Sequence, residues 1–380
     1  MRNSLKKETS VGLYVLGTLY PEAIGGMEIF NYYFLKFRLE NLKKKDLYWT
    51  TNALSGFEKN HIKLRRQRPI SLFYPLQLFA TLLKHRSRIA YVYMGYARTP
   101  WVLPFFYTII FRLFRKPYYV TIHSGGTPVW RPAFTYRYYF RKAEALVGVS
   151  EQICKEYGSL LPGKKIWFIP PLIPFRLAKK TKDDLKAEFG LIRDSRVLLF
   201  VGSLKGMKNP DKILMAFSLL KTKNKLSENL KLIMVGGGDM TDQLKAYTTE
   251  KNLTDRVFLP GFISREAIPD YFGMADYYVI SSDYEGTSLS LLEAMFNKLP
   301  IIGADSPGIN EILQANENAL LYSAPDAEEL AACIDRITSD NGLASRLAEK
   351  ANKDFTEKFS YTIMINKYEE LFNNRLPKDN

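Results

Sequence analysis

Short runs of branched and aromatic residues alternate with longer helical stretches along all 380 residues. That alternation limits the fold more than any other feature. Strands are expected at Val11–Leu16, Leu47–Thr51, Ile89–Met94, Tyr118–His123, Ala145–Val149 and Ile166–Ile169. A second series follows at Val197–Gly202, Leu230–Val235, Val257–Leu259, Tyr277–Ser281, Pro300–Ala304 and Ala319–Tyr322. Short, mostly apolar strands separated by helices belong to parallel sheets covered on both faces. Two series in one chain imply an α/β protein of two doubly wound domains, which also suits the length. The boundary is expected within Ile169–Asp184, whose three prolines disfavour regular structure. The domains are therefore residues 1–174 and 175–355. Ligands of such sheets bind beyond the carboxyl ends of the strands, so two facing domains would enclose a central cleft.

Charge is divided as sharply as the strands. Residues 1–180 hold 30 Lys and Arg against 9 Asp and Glu, a net of +21. Residues 181–380 hold 24 against 30, a net of −6, and the halves sum to +15. The two halves are thus expected to meet different partners. A solvated basic face explains the first half at its simplest. No helix-turn-helix, zinc-finger or RNP-like pattern accompanies the charge, so nucleic acid is not the expected partner. Aromatics do accompany it. Thr99–Tyr119, "TPWVLPFFYTIIFRLFRKPYY", joins Trp, Phe and Tyr to Arg112, Arg115 and Lys116, the composition of an interfacial segment or of a core helix ending in basics. An anionic membrane surface or a phosphate-bearing acceptor fits the first reading. No uncharged apolar run is long enough to span a bilayer, and Glu8 interrupts the N-terminus before any long apolar region, so no transmembrane helix or signal peptide is expected. Cys154 and Cys333 are far apart and the three histidines are scattered. Both facts fit a cytoplasmic protein with no metal site, and the basic, aromatic first half would allow peripheral contact with the inner face of the membrane.

Four loops follow expected strands and carry residues suited to chemistry. In Tyr20–Phe30, Gly25 and Gly26 precede a helix beginning near Met27; adjacent glycines let amides approach an anion, though a tight turn uses them equally well. Val120–Gly126 places His123 at a strand end, where it is either a packing residue or a functional one. Phe200–Pro210 sets Lys205 and Lys208 before a helix, where a lysine can meet phosphate as a point charge or simply face solvent. In Ser281–Met295, a helix follows Glu285-Gly286-Thr287, with its first amides at Thr287, Ser288 and Leu289 placed for a phosphate. Glu293 stands inside that helix among Leu291, Leu292, Ala294 and Met295. Burying it unpaired would cost several kcal/mol, so it must reach solvent or hold a polar partner such as a ribose diol.

In combination these residues resemble glycosyltransferase family 4, retaining enzymes of the GT-B fold. Glu285 and Glu293 match the family's E-x7-E signature within "EGTSLSLLEAM". Gly25-Gly26-Met27-Glu28 is similar to its N-terminal glycine loop, Val120–Ser124 to its strand-ending histidine, and Arg141–Glu151 to the end of its fifth strand. The resemblance implies two Rossmann-like domains and a C-terminal segment, residues 356–380, crossing back to the first domain. It implies that Lys208 binds the donor diphosphate with the amides of Gly25, Gly26, Thr287 and Ser288, near Ser203, Gly286 and Leu289. Glu293 would hold the ribose hydroxyls, Glu285 would contact the donor sugar near the reacting carbon, and His123 would approach it from the first domain. The base would lie near Val257–Ser264. One departure stands out: Ser203 occupies a position where many members have arginine, leaving Lys205 or Arg265 as substitute cations, or a weaker donor site.

The implied reaction transfers a hexose from a nucleotide-sugar to a glycan or lipid-linked glycan acceptor, with retention, in bacterial-type surface polysaccharide assembly. Neither a cofactor nor a metal is implied, since no Asp-x-Asp motif has a suitable setting. A sugar-nucleotide epimerase or a glycogen-type synthase would share the cleft but treat the donor differently. A non-catalytic basic module would bind polyanions and leave nucleotide-sugars intact.

Overall fold

A computed structural model describes residues 11–16, 45–49, 76, 79–80, 82–83, 89–96, 102–123, 133–171 and 173–373. Gly25, Gly26, Met27 and Ser124 lie outside the described residues. Contacts divide the chain into two units, Met1–Pro174 with Met364–Asn380, and Phe175–Ile363.

The first unit holds six strands among the described residues: β1 Val11–Leu16, β2 Lys45–Trp49, β3 Ile89–Tyr96, β4 Tyr118–Ile122, β5 Ala145–Gly148 and β6 Ile166–Phe168. Their order is β2-β1-β3-β4-β5-β6, and every pairing is parallel. The winding reverses between β1 and β3. β4 and β5 are buried along their whole length, as strands covered by helices on both faces must be. The helix Val102–Leu113 turns Tyr107, Ile110 and Phe111 into the core, where Phe111 meets Tyr118 at 4.8 Å between ring centroids. The last helix, Tyr361–Asn373, runs onto this unit: Tyr368 is buried against Thr121 of β4, and the Lys367 ammonium sits 4.9 Å from the centre of the Phe168 ring.

The second unit repeats the plan with β7 Arg196–Val201, β8 Leu230–Val235, β9 Val257–Gly261, β10 Tyr277–Ile280, β11 Ile301–Ala304 and β12 Leu320–Tyr322. Their order is β12-β11-β10-β7-β8-β9, again all parallel. The fold is GT-B, with two Rossmann-like domains. Every expected strand is present within a few residues of its expected ends. In this sheet the chain winds outward from β7 through β8 to β9, then restarts at β10 on the other side of β7. The loops leaving β7 and β10 therefore diverge to opposite faces, which opens a crevice at the carboxyl edge of the sheet.

The helix Leu289–Phe296 lies directly after that point. Leu291, Leu292, Ala294 and Met295 are fully buried, each of the larger ones contributing about 2 kcal/mol of apolar burial. Its far end is fixed by a cluster of Phe175, Phe296 and Phe355, with ring centroids 5.3 to 5.9 Å apart. The helix begins at Leu289, two residues after the first amide that the sequence suggests. Thr287 and Ser288 precede it, and Ser288 is its cap, its Oγ accepting from the Leu291 amide at 3.4 Å.

Candidate functional site

The crevice between β7 and β10 collects most of the expected residues of the second unit. After β7 the chain passes Ser203, half-buried, and turns through a 3-10 segment, Gly206–Lys208. Leu204 is fully buried and anchors this loop to the β8 loop, its amide donating to the Gly237 carbonyl at 3.0 Å. The two loops touch backbone to backbone. A Cβ on Gly236, whose φ is +134°, would stand 1.9 Å from the Gly202 carbonyl oxygen, so only glycine fits.

Asn209 joins the β7 loop to the β10 loop. It adopts the left-handed conformation, φ 47° and ψ 45°, which Asn tolerates better than most residues. Its Nδ2 donates to the Ser281 carbonyl at 3.0 Å and to Asp283 Oδ1 at 2.5 Å. Ser281 Oγ donates back to the Lys208 carbonyl at 2.6 Å, and the Asp283 amide to the Met207 carbonyl at 3.0 Å. These bonds fix where Lys208 can point.

Lys208 points at Glu285. Its Nζ lies 2.5 Å from Glu285 Oε1, and Ser282 Oγ donates to the same oxygen at 2.7 Å. The Glu285 side chain keeps only 13% of its surface and that of Lys208 21%, so the pair is shielded without being sealed. The backbone behind it is rigid: the Glu285 amide donates to the Pro307 carbonyl at 3.0 Å, and Ser306 Oγ donates to the Ser282 carbonyl at 2.6 Å. Gly308 has φ +85°, and a Cβ there would stand 2.0 Å from the Glu285 carbonyl oxygen.

Glu293 is buried, as the run of apolar neighbours suggests, and it is paired within the protein. Arg265 Nη1 forms an ion pair with its Oε1. Burial pushes the Glu293 carboxyl above its usual range, and the charge and hydrogen bond of Arg265 oppose that rise. Arg265, one of the two cations suggested in place of the arginine absent at Ser203, is thus held by Glu293. Lys205, the other candidate, is exposed.

Between the two carboxylates stands a set of hydroxyls. Tyr278 of β10 donates to Ser290 Oγ at 2.8 Å, and Ser290 Oγ lies 3.1 Å from Ser288 Oγ. Burial raises the Tyr278 hydroxyl far above its usual range, and the charges of both Glu285 and Glu293 add to that rise. The Tyr278 phenol is thus within electrostatic reach of both carboxylates. Gly286, Thr287 and Leu289 are half-buried along that rim. The amides of the helix's first turn have no acceptors within the helix, and its dipole favours an anion there.

His123 belongs to the first unit, at the carboxyl end of β4. Its Nε2 is buried, and burial lowers the imidazole to about 3, so the ring is neutral at ordinary pH. Among the described residues no group of three or more His, Cys, Asp and Glu is disposed to hold a metal ion. Both cysteines are free thiols.

Asn209, Ser282, Tyr278 and Ser290 were not singled out by sequence. Asn209 carried a usable signal, since an Asn-Pro step favours a turn before a helix. Tyr278 read as an ordinary apolar strand residue.

Comparisons with known proteins bear on the same region. Residues 181–354 match the family model described as Glycosyl transferases group 1. An uncharacterized glycosyltransferase of Methanocaldococcus jannaschii is 26% identical over 218 residues, 56% of this chain and 54% of that protein. The N-acetyl-alpha-D-glucosaminyl L-malate synthase of Bacillus anthracis is 24% identical over 245 residues, 64% of this chain and 63% of that protein. The matches thus span a little more than half of these relatives' own lengths. Among solved structures, HepE of Anabaena in complex with UDP superposes with a TM-score of 0.78 at 15% identity, covering 96% of this chain and 100% of that one. Across residues 181–354, the part that holds Lys208, Glu285 and Glu293, the chain carries the sequence pattern of the group 1 glycosyl transferases on a GT-B fold.

Proposed function

We propose that the protein is a retaining hexosyltransferase of glycosyltransferase family 4. It would move a sugar from a nucleoside diphosphate donor to a glycan or lipid-linked glycan acceptor, in surface polysaccharide assembly at the cytoplasmic face of a membrane. The observation that carries this reading is the Lys208–Glu285 pair at the winding reversal of the second sheet, next to a capped helix start and a second buried carboxylate. An anion held by those amides takes Lys208 as its counter-ion. The departing diphosphate develops charge at the same place, so fixed positive charge there lowers the barrier without reorganisation. Glu285, released from Lys208, faces the sugar, where a carboxylate stabilises an oxocarbenium-like centre. Glu293 accepts from the ribose hydroxyls, and the Arg265 charge opposes the rise that burial imposes on its carboxyl. His123, neutral, serves as a hydrogen-bonding group to the sugar rather than a cation. Lys208 and the amides supply the positive charge that a metal would otherwise bring, so no divalent ion is part of the proposal. The relative in complex with UDP makes uridine the first nucleotide to test.

The test is a thermal-shift panel of UDP-, GDP-, ADP-, CMP- and dTDP-sugars on the full chain, repeated with Glu293→Ala. One nucleotide-sugar should raise the Tm, and the variant should lose most of that rise. If none of the donors shifts the wild-type protein, the donor-site reading fails. Donor breakdown with and without acceptor then separates a transferase from an epimerase.

A further inference from the structure

Among the described residues of the first unit, six large apolar side chains face solvent: Leu76, Phe79, Leu83, Phe106, Ile109 and Leu113, each at least 37% exposed. They fall in two triplets with identical spacing. Leu76, Phe79 and Leu83, each in helical conformation, stand at positions i, i+3 and i+7, and Phe106, Ile109 and Leu113 repeat that spacing on the helix Val102–Leu113. At 3.6 residues per turn each triplet fills an arc of about 60° on one side of its helix. The opposite side of the second helix is already used, with Tyr107, Ile110 and Phe111 in the core. The two segments are neighbours, since Phe79 meets Phe114 edge-on at 5.4 Å. Isolated exposed apolar residues are ordinary, but two matched stripes on adjoining segments are not.

Along the sequence, the charge flanking them has one sign. From Glu58 to Glu144 the chain has no other carboxylate and holds 16 Lys and Arg. Arg112, Arg115, Arg141 and Lys142 are exposed there, and Arg112 reaches across to the Tyr138 hydroxyl at 2.7 Å, tying the helix Ala133–Lys142 to the apolar helix.

We infer that this face docks on an anionic phospholipid surface, the two apolar stripes entering the acyl boundary while the flanking arginines meet lipid phosphates. The pairing of aliphatic and aromatic side chains with arginine and lysine is what an interfacial segment needs. A polyanionic nucleic acid would use the charge and leave the stripes idle. A second copy would cover the stripes but set like charges against each other. The inference rests on the proposed lipid-linked acceptor only for the reason to visit a membrane. The surface itself stands on exposure and charge.

The experiment is sedimentation of the full chain with vesicles of phosphatidylcholine alone, or of phosphatidylcholine with phosphatidylglycerol, in the absence of nucleotide. The expected result is binding to the anionic vesicles at least tenfold stronger than to the neutral ones, weakening with salt. Phe106→Ser/Ile109→Ser/Leu113→Ser should weaken it at least tenfold with an unchanged Tm. Arg112→Gln/Arg115→Gln should weaken it on the order of tenfold and reduce the salt dependence. Ile192→Ser, an equally exposed apolar position in the second unit, should change nothing. The inference is overturned if neither vesicle is bound, if both compositions bind alike, or if the triple variant binds as wild type. Self-association abolished by the triple variant, without vesicle binding, would assign the face to a second copy instead. Donor-dependent thermal shifts on the same samples are scored separately, so either reading can fail alone.

Discussion

Arg265 and Glu293 form a buried ion pair that joins the segment after β9 to the middle of the helix after β10. The Arg265 side chain keeps 15% of its surface and that of Glu293 7%, so each partner has given up most of its hydration for the other. Removing one partner strands a charge, whereas removing the charge of both would cost far less.

Arg265→Met should therefore destabilise the second unit by about 3 kcal/mol at neutral pH, and Glu293→Gln/Arg265→Met by much less. The pH dependence follows from the raised carboxyl of Glu293. The folded state binds that proton more tightly than the unfolded state, so the contribution is fully present in acid and is lost as pH rises through the folded value. Without Arg265 the carboxyl rises further. Urea denaturation of Arg265→Met should show its deficit shrinking from pH 8 towards pH 5. A deficit that is the same at both would show that the pair is not what holds Glu293.

Lys208 and Glu285 should part ways when probed by nucleotide. In the free protein Glu285 competes for the ammonium that a diphosphate would take. Glu285→Gln should bind UDP a few-fold more tightly than wild type and lower kcat by about 10²-fold or more. Lys208→Ala should weaken UDP binding by about tenfold or more, through loss of a charge-assisted contact. Calorimetric titration and initial rates separate the two.

His123 should reveal itself in acid. Its imidazole is lowered to about 3 by burial, while an unfolded histidine titrates near its ordinary 6.5. Between those values the unfolded state holds the extra proton, so stability rises with pH across that window and is lost on acidification. His123→Gln should flatten the stability profile between about pH 3 and 6.5. The rate profile of the wild type should show no histidine ionisation above pH 5.

Gly308→Ala should act on Glu285 without touching it. The added methyl meets the Glu285 carbonyl oxygen, and φ +85° strains any L side chain. The expected result is a loss of about 1 to 3 kcal/mol, with a fall in kcat exceeding any rise in KM. Activity of the wild type should survive excess EDTA within about twofold, as the proposed donor site, charged by Lys208 and backbone amides, predicts.

Much of this was legible in residues alone. Apolar runs such as Val197–Val201 and Leu230–Val235 can only be strands covered on both sides, and the proline-rich Ile169–Asp184 could only be a break. The carboxylate inside Leu289–Phe296 signalled that something polar must meet it. Sequence could not name Arg265 as that partner, because the pairing depends on how the segment after β9 lies against a helix far along the chain. Nor could it show Lys208 turned onto Glu285. That contact depends on β10 inserting beside β7, a fact of sheet order that no local pattern encodes. Tyr278 was invisible for a simpler reason: a tyrosine in a buried strand looks like packing until its hydroxyl is located.

The winding reversal also sets when the site can exist. Lys208 and Glu285 are 77 residues apart, and β8, β9 and their helices lie between them in the chain although β10 sits beside β7 in the sheet. Closing so long a loop is slow compared with forming the intervening units. A growing or partly folded chain that has reached only β9 has the lysine loop but no carboxylate, no capped helix and no crevice. The proposed donor site therefore exists only in a chain long enough to place β10 beside β7.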